Sequence, residues 1–135
     1  WGRYTEELAD EMGLYSSDLD RFGMVSGLPT GMVVDPGIHA MGWTREQAIA
    51  YVLDKQVDMT PVEAAAYVDR IAVWPGQMVS YGFGELQIWT LREEAKRALG
   101  ARFDIRAFHD HLLSMGAITL PMLRESITRW IGERS

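Results

Sequence analysis

The residues of this chain that could do chemistry are three histidines, a glutamine–tyrosine pair and a short run of carboxylates. His109 and His111 stand two apart in a helical pattern, which turns them about 200° from each other, so one face cannot offer both to a metal. Each reads as a packed or surface histidine. His39 differs because it closes Asp35-Pro36-Gly37-Ile38-His39, an irregular-looking stretch where a side chain can face a cleft. Gln77 and Tyr81 lie four apart in WPGQMVSYGFGEL (74–86) and share one helix face. A tyrosine hydroxyl there can donate to a developing oxyanion, and a glutamine amide can hold a substrate group. Glycine costs about 1 kcal/mol inside a helix, yet Gly82 and Gly84 both follow. Gly84, three beyond Tyr81, is expected to clear space for a ligand or another backbone. Glu6, Glu7 and Glu11 could contribute to a metal site if histidines joined them. No HExxH sequence is present, so they read as a solvated acidic face.

The elements that must position these residues read as helices. Tyr4, Leu8, Met12 and Tyr15 mark a first helix over about 2–13, ended by Gly13, with a loop at 14–20. From Arg21 to His39 the chain is apolar but punctuated by Gly23, Gly27, Pro29, Gly31, Pro36 and Gly37. Short helical turns and irregular backbone are expected there, because proline removes a donor and disfavours helix before it. Thr44 to Gln47 and Thr60 to Glu63 are capping-box patterns opening two helices, the second with Pro61 at its first position. A long helix is predicted over 77–99, ending at Gly100. FDIRAFHDHLLSMG and PMLRESITRWIGE give two more, and ITL at 118–120 is the only strand-like trace. The fold class is all-α, with residues 1–135 forming a single helical region.

Composition narrows the function classes. A chain of 135 residues, 47% hydrophobic and 24% charged, is long enough to bury a core and ordinary in makeup. A net charge of −6, with 13 scattered basic residues, points away from nucleic acid and anionic membranes. No apolar run approaches the roughly 18 residues of a membrane-spanning helix. With no cysteine, disulfides and thiolate metal sites are excluded. Eight methionines and five tryptophans at helical spacings read as core filling. The chain begins at Trp1 with a helical pattern already running, which reads as the expected start of a fragment, a processed chain or a trimmed one.

Four stretches cover nearly the whole sequence: WGRYTEELADEMGLY (1–15), VVDPGIHAMGWTREQAIAYVLD (33–54), MTPVEAAAYVDRIAVWPGQMVSYGFGELQIWTLREEAKRALG (59–100) and FDIRAFHDHLLSMGAITLPMLRESITRWI (103–131). In order and spacing they resemble the C-terminal part of the bacterial domain-of-unknown-function 885 family. Those long helical chains look like zinc metallopeptidases of the gluzincin type, distantly similar to the carboxypeptidase Taq and angiotensin-converting-enzyme groups. The resemblance implies that this region is the C-terminal portion of a larger, mostly helical metallopeptidase-like fold. It places the zinc ligands and catalytic glutamate on an HExxPGHH-like helix upstream, with a third ligand just before Trp1, so no ligand falls on this chain. Tyr4 and Glu6 would stand behind the ligands and orient the site. His39 and Tyr81 would donate to the oxyanion of a tetrahedral intermediate, and Gln77 would contact substrate backbone or terminus.

The implied partners are the N-terminal portion of the same protein and a peptide substrate. One departure from the family pattern stands out. Where family members carry an ELWRAxRLVVD-like helix, this chain has SGLPTGMVVD (26–35), without the arginine, and Pro36 replaces a small residue. A lost arginine removes a carboxylate-binding group. The expectation is therefore peptide-bond hydrolysis by a longer zinc-dependent chain. The alternatives are a non-catalytic helical binding or scaffold module derived from such an enzyme, and a hydrolase of other amides or esters.

Overall fold

The computed structural model describes residues 1–26 and 29–135, with only the backbone given for 24–26. The described chain is all-α. Its helices are α1 (Gly2–Glu11), α2 (Asp18–Ser26), α3 (Pro29–His39), α4 (Arg45–Lys55), α5 (Pro61–Val73), α6 (Gln77–Leu99), α7 (Ile105–Ser114) and α8 (Leu120–Gly132), with a 3₁₀ turn at Gly100–Arg102. The chain divides into two compact units, Gly2–Phe83 and Gly84–Ser135 with Trp1.

Both capping boxes form. Thr44 accepts from the Gln47 amide at 3.2 Å while the Gln47 side chain accepts from the Thr44 amide at 2.8 Å. Thr60 and Glu63 repeat the arrangement at 3.3 and 2.8 Å. Each box satisfies two backbone donors that a helix start otherwise leaves unpaired.

The segment 21–39, expected as short helical turns within irregular backbone, is instead taken up over its described residues by two helices, the end of α2 and the whole of α3. Helix α2 begins inside the expected loop at 14–20, where Ser17 accepts from the Asp20 amide at 3.2 Å and caps it. Residues 27 and 28 of the SGLPTGMVVD stretch lie outside the described residues. From Pro29, at the first helical position, α3 continues through Pro36 to His39. An interior proline costs about 3 kcal/mol. Packing outweighs it here: Thr30, Gly31, Val34, Asp35 and Gly37 are all buried, and α3 lies against both α4 and α5.

Two glycines allow that approach. A Cβ on Gly31 would collide with the Tyr67 hydroxyl and the Met78 side chain, and one on Gly37 would lie 2.7 Å from the Trp43 ring. The core of this first unit is Val34, Ala48, Val52, Ala64, Val68, Ile71 and Met78, so α3, α4, α5 and the first turn of α6 all contribute. In the second unit α7 and α8 pack together. Phe108 meets the Trp130 ring edge-on, with centroids 6.1 Å apart.

Candidate functional site

Asp35 links the stretch that holds His39 to the start of the helix that holds Gln77 and Tyr81. Only 2% exposed, it lies on α3 one turn before His39. Its Oδ1 accepts from the Gly76 amide at 2.9 Å and its Oδ2 from the Met78 amide at 3.0 Å. These are donors at the start of α6, which the helix cannot satisfy internally. Gly76 makes the turn possible, because its φ of +78° belongs to the left-handed region that side chains disfavour. A helix N-terminus ordinarily offers itself to an external anion. At α6 a carboxylate of the protein already occupies that place.

His39 ends α3, and its Nε2 lies 3.1 Å from the Ile71 carbonyl at the end of α5. A carbonyl can only accept, so Nε2 carries the proton in this bond. The same nitrogen is 3.8 Å from Asp35 Oδ1. Toward any ligand, His39 therefore offers Nδ1, an acceptor in the neutral ring and a donor only in the imidazolium.

Gln77 opens α6, and its Nε2 donates to the Tyr81 hydroxyl oxygen at 2.7 Å. Tyr81 is 45% exposed. Its oxygen accepts from the amide, which leaves its own O–H to donate outward. Gln77 Oε1 makes no hydrogen bond among the described residues and is left as an acceptor. The expected pair on one helix face is thus a bonded pair with a defined polarity. At Gly84 a Cβ would meet nothing within 4 Å, so the position borders open space and no other backbone approaches it closely. Gly82 is the close-approach position: the Met32 thioether from α3 lies where its Cβ would be.

Tyr4 is fully buried in α1, and Glu6 pairs with Arg3 one turn earlier. The Glu6 carbonyl accepts from the Tyr15 hydroxyl at 3.1 Å. The hydrogen bonds of His39, Gln77 and Tyr81 include neither Tyr4 nor Glu6. His111 stacks on Trp130 with centroids 5.8 Å apart and lies 3.1 Å from Ser126 Oγ, while His109 packs against Phe108. Among the described residues no group of three or more histidines and carboxylates could hold a metal ion.

Asp35 is the residue that sequence reading passed over. Its signal was present: an aspartate four before His39 shares a helix face with it. What no local pattern revealed is that its partners lie 41 and 43 residues onward.

The model of the family "Bacterial protein of unknown function (DUF885)" matches residues 1–127. The chain belongs to this family. It is also similar to a crystal structure described as "the putative lipoprotein from Colwellia psychrerythraea", with 37% identity and a TM-score of 0.85. That likeness covers 98% of this chain and 23% of the other, so this chain spans about a quarter of that protein's length. Among curated proteins nothing matches. No described helix of this DUF885 chain is long and apolar enough to cross a membrane.

Proposed function

We propose that this DUF885 segment supplies the substrate-facing, transition-state-stabilising side of a zinc-dependent peptidase whose metal ligands lie outside the sequence described. The observation that carries the reading is the polarity of the Gln77–Tyr81 bond. A half-exposed tyrosine whose oxygen is already an acceptor has its proton directed outward. In peptide-bond hydrolysis charge develops on the carbonyl oxygen, and a preplaced O–H donor stabilises that charge without reorganising. Gln77 Oε1 would accept from a substrate backbone N–H. His39 would assist only as an imidazolium, through Nδ1, because its other nitrogen serves Ile71.

The test uses the full-length protein containing this segment, assayed on internally quenched short peptides with and without a zinc chelator. Hydrolysis should be lost with chelator and restored by added zinc. Tyr81→Phe should lower kcat/KM by about 100-fold, the loss typical of one oxyanion donor, with helicity unchanged. Chelator-insensitive hydrolysis would overturn the zinc assignment, and an undiminished rate in Tyr81→Phe would overturn the role of that hydroxyl.

A second reading, a non-catalytic helical module, is favoured by the internal engagement of His39 with Ile71 and beside Asp35. On that reading the full-length protein hydrolyses no peptide, amide or ester, and Tyr81→Phe changes only the binding of a partner.

A further inference from the structure

We infer that Asp35 is the positioning residue of this site, setting the start of α6, and with it the Gln77–Tyr81 pair, in register with His39. The claim that this register matters for turnover rests on the peptidase reading; the claim that Asp35 sets it does not.

Helices α4, α5, α7 and α8 each begin with their own capping side chain, from Thr44, Thr60, Asp104 and Thr119. The sequence before α6 is Trp74-Pro75-Gly76, which contains no side chain able to cap. The cap comes instead from α3, across 41 and 43 residues, and uses both carboxylate oxygens. A local cap would fix where α6 begins but not where it lies relative to another helix. A cap borrowed from α3 fixes both, because Asp35 and His39 share one face of that helix, with Asp35 Oδ1 3.8 Å from His39 Nε2. Slipping the start of α6 by one residue would turn Tyr81 by about 100° around the helix axis. The two sequence motifs that hold the candidate residues are therefore joined through one buried carboxylate.

The substitution that tests this is Asp35→Asn in the full-length protein. Asparagine has one acceptor oxygen where two backbone donors need one each, and its amide would face the second donor. Amide hydrogen exchange over 76–81 should quicken by about tenfold or more, while exchange over α4 stays at the wild-type rate. On the quenched peptides, kcat should fall by about 100-fold with KM little changed, the scale of a small misplacement of a reacting group. In a Tyr81→Phe background the same substitution should cost less than about threefold, because residues acting as a unit are not additive.

Unchanged exchange over 76–81 overturns the inference. So does an equal kinetic cost in both backgrounds, which would make Asp35 a stabilising cap and nothing more. If wild type hydrolyses nothing, the peptidase reading fails, and exchange alone decides whether Asp35 holds α6. Should Asp35→Asn not fold, Asp35→Glu keeps the charge but displaces the carboxylate by one methylene. It should show the same exchange and kinetic pattern, and wild-type behaviour in it would overturn the inference equally.

Discussion

Replacing glycine by alanine at Gly37 and at Gly84 should move stability in opposite directions. Both positions are helical, in α3 and α6, and neither has a positive φ. In each case alanine gains about 1 kcal/mol of helix propensity. At Gly84 nothing lies within 4 Å of the new methyl group, so that gain should survive as about 0.5–1 kcal/mol of added stability. At Gly37 the methyl would lie 2.7 Å from Cδ2 and Cε3 of Trp43 and 3.2 Å from Cε2. The indole has little room to retreat. It packs on Tyr51 with centroids 5.3 Å apart, and the Trp43 amide donates to the Gly37 carbonyl at 2.9 Å. Overpacking of this kind costs about 1–3 kcal/mol, which exceeds the propensity gain. The net expectation is a loss of about 0.5–2 kcal/mol.

Urea denaturation followed by circular dichroism reads the difference, and matching slopes would show that only stability changed. Gly82→Ala makes a useful third point. Its methyl meets the flexible end of Met32, which can swing away, so its effect should fall between the other two. If Gly37→Ala is as stable as wild type or more so, the indole does not press on α3. The account of why this helix carries glycines then fails.

The Thr60–Glu63 box and His39 give two further predictions. Hydrogen bonds from the Thr60 side chain and then its amide hold the Glu63 carboxyl below its ordinary value of 4.5. A depressed folded-state value means the contribution is complete above pH 4.5 and is lost as pH falls through the folded value. Glu63→Gln should therefore flatten the fall of stability below that pH, and superimposable pH–stability profiles would refute it. His39→Gln keeps a donor able to reach the Ile71 carbonyl while removing Nδ1, so it should fold normally and lower kcat/KM less than the ~100-fold of Tyr81→Phe. The reverse ranking in peptide-hydrolysis assays would make His39 the principal donor.

Much of the fold could be read in the sequence where the determinants are local. Thr44 with Gln47, Thr60 with Glu63 and Pro61 fix helix starts within four residues, and the structure begins α4 and α5 there. The long helix over 77–99 coincides with α6. Local rules failed over 29–39 because they count the cost of Pro36 and the glycines without the burial that outweighs it. Ser17 three before Asp20 was a legible cap that the loop reading missed. The glycines of α6 show a second kind of limit. Periodicity places Gly84 near Tyr81, but only the approach of α3 reveals that Gly82 is the position needing room. The candidate site was legible as residue types and illegible as connections, since Asp35 and Ile71 act through partners more than thirty residues away.

The connections change how DPGIH and WPGQMVSYGFG should be weighed. Taken separately, each is a turn-rich stretch with one reactive-looking side chain. Joined through Asp35, they constrain one another: a carboxylate from the first closes the N-terminus of the helix that carries the second. That closure removes the most general anion-binding feature of α6 and leaves recognition to side chains. Of those, Tyr81 has a proton free of internal duty, Gln77 an acceptor, and His39 only the nitrogen that faces away from Ile71. On the proposed peptidase reading, such an arrangement would suit an uncharged carbonyl that acquires charge during reaction better than a ligand already anionic, because one directed O–H gains most where charge is developing. Asp35 acts through its side chain, and α3 continues past Pro36 to deliver His39.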